Sequence, residues 1–228
     1  MKRLSNLFLG LLAAAPALLN AQGSAATGAA TTAAAGAATS LPAATALTAP
    51  CPTADEARRI GEAFAKTPAP MPFAAAPSLQ LPEVVVAAGM PASMGRSVDG
   101  SQFIKVWDSL AAWPEALVMI MKGGNVFEIS TKIPPGEPST KSRFFNLGKG
   151  TLSGHLRPDQ LSAILGVQMP AAEGFVRGVF FYDGKGESVF GAFVGGEGGK
   201  PGAAQIAAFD RTWQLLQSLP PRCPAPTT

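Results

Sequence analysis

The chain has 228 residues, a formal net charge of +3, a hydrophobic fraction of 47% and a charged fraction of 14%. That apolar content suffices for one core of ordinary size and excludes a chain disordered throughout. A single His and two distant Cys exclude a zinc site built from Cys and His ligands, and so small and scattered a positive excess gives no basis for nucleic-acid binding.

Lys2 and Arg3 precede an apolar run from Leu7 to Leu19 that is too short to span a bilayer comfortably, and Pro16 and Ala21 suit a cleavage site. Residues 1–21 therefore read as a secretory signal peptide, with a periplasmic or secreted location and no membrane span after cleavage; an uncleaved anchor is the competing reading. Loss of Lys2 and Arg3 leaves the mature chain close to neutral. Residues 22–52, rich in Ala and Thr and free of charge, read as a disordered tether. In an oxidising compartment Cys51 and Cys223, which bracket nearly all of the mature chain, are candidates for a disulfide worth about 5 kcal/mol on chain-entropy grounds. The alternative is two free thiols in flexible arms.

Residues 53–66 suit a short helix: Thr53 and Glu56 form a capping box, and Ile60 and Phe64 share a face. Pro68, Pro70, Pro72 and Pro77 mark residues 67–78 as a stiff linker. A compact domain then spans residues 79–219. Phe103, Val106, Trp107 and Leu110 recur at helical spacing between Ser101 and Trp113. Ala116 to Met121 and Val126 to Ser130 flank Gly123-Gly124-Asn125 as a hairpin. Ser142 to Leu147 and Thr151 to Leu156 are candidate strands, and Pro158 introduces a short helix over Asp159 to Leu165. Phe175 to Tyr182 and Ser188 to Val194 flank the turn Asp183-Gly184-Lys185-Gly186, and Ile206, Phe209, Trp213 and Leu216 form a last helix. Residues 220–228 are a Pro-rich tail. Hairpins between terminal helices predict an α+β domain on an antiparallel sheet with flanking helices.

Two motifs fail as catalytic signatures. Gly195-Gly196-Glu197-Gly198-Gly199-Lys200 lacks the Ser or Thr of a phosphate loop, because Pro201 follows the Lys. Ser153-Gly154-His155 sets a hydroxyl near an imidazole without a nucleophile elbow or an orienting acid. No acid pair or nucleophile–base constellation specifies an enzyme.

The order of the remaining motifs is more specific. Phe103-Ile104-Lys105-Val106-Trp107-Asp108, Val126-Phe127-Glu128-Ile129, Ile133-Pro134-Pro135-Gly136, Phe145-Asn146-Leu147, Ser153-Gly154-His155, Phe180-Phe181-Tyr182-Asp183-Gly184 and Val194-Gly195 with Gln205 and Phe209 follow one another over about residues 100–217. In that order they resemble the haem-utilisation carrier proteins of the HutX/ChuX type.

The resemblance implies one α+β domain, usually a homodimer, that binds haem b non-covalently and exchanges it with a donor or acceptor protein. It maps a haem-contacting His onto His155 and a second onto Met121, and the family's His-rich segment before Phe-Asn-Leu is here Lys141-Ser142-Arg143-Phe144. Haem iron accepts imidazole nitrogen and thioether sulfur, so His155 and Met121 are the candidate axial ligands. Their competing readings are a structural His and a core-filling Met. Arg143 and Arg157, with Lys141 nearby, are candidate partners for the propionates. The expected function is an exported haem-binding protein of haem uptake, carriage or storage. The alternative is a non-enzymatic protein-interaction module that kept the fold and lost haem.

Overall fold

A computed structural model describes residues 49–172, 174–195 and 200–224. The expected signal peptide and nearly all of the expected tether lie outside the described residues. Two sheets and five helices make up the rest. The helices are α1 (Ala54–Phe64), α2 (Pro72–Leu79), α3 (Glu83–Gly89), α4 (Phe103–Ala111) and α5 (Ala203–Ser218). The strands are β1 (Gly95–Asp99), β2 (Ala116–Lys122), β3 (Asn125–Thr131), β4 (Gly136–Pro138), β5 (Phe145–Leu147), β6 (His155–Leu156), β7 (Leu161–Pro170), β8 (Phe175–Asp183) and β9 (Ser188–Phe193).

A six-stranded antiparallel sheet in the order β1-β7-β8-β9-β2-β3 forms the centre, and β4-β5-β6 form a separate small sheet. Successive side chains on a strand point to opposite faces. On β8, Phe180 and Tyr182 therefore enter one apolar cluster and Val179 and Phe181 the other. The first face is covered by α1, α2 and α3, through Ile60, Phe64, Ala75, Ala76 and Val84 to Val86. The second is covered by α4 and α5, through Phe103, Trp107, Leu110, Phe209 and Leu216. The small sheet joins this second cluster. Phe145 of β5 is buried edge-on against Phe103, with ring centroids 5.1 Å apart.

The β8–β9 hairpin turns as expected, at Asp183 to Gly186. The Asp183 carboxylate accepts from the Lys185 and Glu187 N–H groups, and Gly186 takes φ +81°, where a side chain would be strained and would meet Val84. α1 begins with the expected capping box between Thr53 and Glu56.

Two expectations are corrected. The stretch expected as a stiff linker, residues 67–78, contains most of α2, with Pro72 at its start and Ala75 and Ala76 buried on the first face. Pro72 stands in the first turn, where a Pro loses no hydrogen bond, whereas Pro77 lies inside the helix and gives up one backbone bond there. The compact unit accordingly begins before residue 79. The helix expected over Asp159 to Leu165 is a single 3₁₀ turn, Pro158–Gln160, followed by β7. β7 is buried from Ser162 to Val167 because it lies between β1 and β8 with helices on both faces. Such a strand has a continuous apolar run and lacks the alternation that marks a half-buried one. The described start of the Pro-rich tail is tied down. Pro221 bridges to Val98 of β1, and the Arg222 N–H donates to Ser97 O at 2.9 Å.

Cys51 and Cys223 are joined by a disulfide, with Cα atoms 5.7 Å apart and a sequence separation of 172. The Arg222 guanidinium donates to the carbonyls of Ala49 and Pro50 beside it. This clamp fastens the start of α1 to a strap across β1, so one edge of the large sheet is closed. The other edge is β3, which pairs with β2 alone among the described residues and carries Phe127 at 65% exposure.

Candidate functional site

The small sheet brings the sequence-predicted residues together, apart from Met121. In the pairing of β5 with β6, Phe145 faces Leu156 and Asn146 faces His155. Phe145 packs into the second-face cluster with Leu147 and Leu156, so Asn146 and His155 project outward. Gly154, at φ +147°, takes a conformation open to glycine, and its carbonyl accepts from the Leu147 N–H at 2.9 Å, which sets the register. The Ser-Gly-His motif is thus a strand entry that presents an imidazole.

His155 is exposed, and its Nδ1 lies 2.8 Å from Asn146 Oδ1. The Phe144 ring stands beside it, with centroids 5.7 Å apart, and the Arg157 guanidinium lies 5.6 Å from the Phe144 centroid. Arg157 is committed elsewhere. Its Nε and an Nη donate to the two Asp159 oxygens at 2.7 and 2.8 Å, a bidentate fork. Arg143 makes a looser contact with the same carboxylate at 3.6 Å. The hydrogen bond from Arg157 holds the Asp159 carboxyl down at about 2, below its ordinary 3.8, against the opposing effect of partial burial. Asp159 and Asn146 escaped the sequence reading. Arg157-Pro158-Asp159 holds the local signal for one, while Asn146 is recognisable only once β5 and β6 are paired.

A carboxyl whose pKa is depressed by folding adds stability above its ordinary pKa, and that stability fades as pH falls toward the depressed value. Thermal melts of the wild type between pH 5 and pH 2 are therefore expected to lose a contribution from Asp159 below about pH 4. Asp159→Asn is expected to flatten that part of the profile. An unchanged acid limb in the variant would rule out the Arg157–Asp159 fork as a contributor.

Beneath the small sheet lies a cavity of about 180 Å³ with wholly apolar walls, including Leu147, Leu152, Leu156, Trp107, Ile120 and Phe190. It is smaller than the roughly 300 Å³ at which pockets for small-molecule ligands begin, so a porphyrin is not enclosed there. A macrocycle engaging His155 would lie on the outer surface, beside Phe144. The residues present fit haem in that manner: an exposed imidazole whose Nε2 has no hydrogen-bond partner among the described residues, one aromatic neighbour and the loosely held Arg143 guanidinium.

Met121 does not belong to this site. It is buried in the first-face cluster, between the sheet and the N-terminal helices. Ile120 and Val118, which alternate with it on β2, are the residues that face the apolar cavity. The Met121 sulfur borders a different cavity, of about 370 Å³, with Phe73, Glu83, Val126 and Ser188, and accepts from the Ser188 hydroxyl at 3.6 Å. Burial pushes the Glu83 carboxyl up, although the Ser188 N–H and hydroxyl bonds oppose it. The expectation of a His155/Met121 ligand pair is corrected accordingly, because the six-stranded sheet separates the two side chains. Met121→Leu is expected to leave any haem spectrum unchanged. Loss of a thioether band or a shifted Soret maximum in that variant would contradict this placement.

The chain is thus an antiparallel sheet between two helical layers, with an exposed imidazole on a small side sheet. The model of the family described as Haem utilisation ChuX/HutX matches residues 96–212, and the chain belongs to that family. The intracellular heme transport protein HutX of Vibrio cholerae serotype O1 is 26% identical over 140 residues, which cover 60% of this chain and 72% of that protein. The crystal structure of ChuX superposes with a TM-score of 0.62 at 21% identity, over 69% of this chain and 98% of that one. ChuS, an E. coli heme oxygenase, superposes with a TM-score of 0.56 at 15% identity, over 70% of this chain and 47% of ChuS, and shares the fold.

The α+β class and the family read from the sequence both hold. The periplasmic or secreted location does not, because the V. cholerae relative is an intracellular transport protein. That expectation rested on residues 1–21 alone, and a basic pair before a short apolar run reports composition rather than fate.

Proposed function

We propose that this protein binds haem non-covalently on the outer surface of the small sheet and serves haem uptake, carriage or storage without transforming it. The observation that carries the reading is the exposed His155 imidazole, seated between Asn146 and Phe144 in a chain of the haem-utilisation family. His155 Nε2 is the axial ligand. Arg143 is the first partner for a propionate, because its contact with Asp159 is long and single, whereas Arg157 would have to leave a bidentate fork. The bound haem supplies the iron and its porphyrin; the chain supplies one nitrogen donor, a flat aromatic neighbour and cationic groups. Carriage rather than catalysis is supported by the V. cholerae relative, which is a heme transport protein.

Titration of the apoprotein with haemin tests the reading. The expected result is a Soret shift that saturates at one haem per chain. A Soret band indistinguishable from free haemin would sink it. That outcome would favour the interaction-module alternative, for which the exposed Phe127 on the edge strand β3 is the supporting feature.

A further inference from the structure

We propose that Asn146 is a positioning residue that fixes the ligand-competent tautomer of His155. The inference rests on the haem reading above, but its primary test needs no haem. A neutral imidazole carries one proton on either of its two nitrogens, and only the bare nitrogen can bind a metal. An exposed histidine without a fixed partner favours the proton on Nε2, the nitrogen that points away from the backbone. Here Asn146 Oδ1 faces His155 Nδ1 at 2.8 Å. An amide oxygen only accepts, so the proton of a neutral ring is drawn to Nδ1 and Nε2 is left with its lone pair. The same hydrogen bond restricts rotation of the ring.

The backbone makes this pairing reproducible. Asn146 and His155 are register partners, flanked by the inward pair Phe145 and Leu156, and the Leu147 N–H to Gly154 O bond closes the ladder behind them. Phe145 is 1% exposed, so β5 is anchored to the core while Asn146 stays at the surface. The Phe144 ring borders the imidazole and limits its swing away from the amide. Phe-Asn-Leu and Ser-Gly-His are therefore two halves of one device: one strand carries the ligand and the other sets its proton. Metal-binding histidines in general are oriented by an acceptor on their second nitrogen, and loss of that acceptor costs about 10- to 100-fold in affinity.

The test is a long-range ¹H–¹⁵N correlation spectrum of the untagged apoprotein labelled with ¹⁵N-histidine, recorded near pH 8.5, above the ordinary imidazole pKa of about 6.5. The chain's single His gives one pair of ring nitrogens. Wild type is expected to be protonated on Nδ1. Asn146→Leu is expected to move the proton to Nε2, and Asn146→Asp, whose carboxylate still accepts, to keep it on Nδ1. Haem affinity is expected to fall about 10- to 100-fold in Asn146→Leu and to recover in Asn146→Asp. A wild-type ring protonated on Nε2 overturns the proposal without requiring any variant to fold. A folded Asn146→Leu that stays protonated on Nδ1 overturns it equally. Protonation on Nδ1 in a wild type that takes up no haem upholds the tautomer assignment and refutes the haem reading alone.

Discussion

Alanine at position 155 is expected to lower haemin affinity by at least about tenfold, since disturbing even the partner of a metal-bound His costs that much. The Soret shift should disappear with it, and millimolar imidazole should restore it by filling the vacated position. The expectation follows from where donor atoms lie in this fold. His155 is the chain's single His. Both cysteines are consumed by the disulfide. Met71, Met90, Met94, Met119, Met121 and Met169 all pack with the first-face cluster, as does the fully buried Tyr182. The large sheet separates every one of these side chains from His155. Among the described residues, the second face therefore offers haem iron one imidazole and no thioether. A His155→Ala protein with wild-type affinity and spectrum would mean that haem binds elsewhere.

The largest effect on stability is expected from the clamp between the two ends of the fold. Replacing both Cys51 and Cys223 with Ser should destabilise the protein by up to about 5 kcal/mol, because the disulfide closes a loop of 172 residues in the unfolded chain. For a domain of this size that corresponds to a melting temperature lower by roughly 10 to 20 °C. The loss should be localised as well as global. The strap formed by Pro221 and Arg222 closes the β1 edge, and α1 packs Ile60 and Phe64 under the sheet just beyond Cys51. Faster amide exchange in β1 and α1 than in β8 is expected on loss of the bond. Melting curves of the double-Ser protein and the oxidised wild type that coincide within about 2 °C would show that the contacts of Arg222 hold the strap by themselves.

The contrast between β8 and β7 shows what the sequence could reveal about this fold. The β8–β9 hairpin was legible because two apolar runs flank a turn with glycines at its centre, a local signal that needs no tertiary information. α4 was legible because Phe103, Val106, Trp107 and Leu110 repeat at the helical period. β7 was not, because a strand buried on both faces shows no alternation and follows a Pro that also suits a helix start. α2 was hidden by its prolines: Pro72 suits a first turn, but Pro77 lies inside the helix, against the local preference. At the site, His155 was found from its motif, and Arg143 and Arg157 from their charge. The face on which each residue lies depends on strand register. Met121 sits at the right distance along the chain and on the wrong side of the sheet, and Asn146 becomes visible only through its cross-strand partner.

The central claim, that His155 supplies the nitrogen that holds haem iron, is open to one direct measurement. Untagged protein labelled with ¹⁵N-histidine is saturated with haemin, and the ferric complex is studied by pulsed electron paramagnetic resonance against an unlabelled control. Because the chain contains one His, any histidine nitrogen coupled to the iron belongs to His155. The expected result is a single imidazole coupling that changes isotope with the label, beside porphyrin nitrogen couplings that do not. A stoichiometric complex whose couplings are the same in labelled and unlabelled protein would contradict the account.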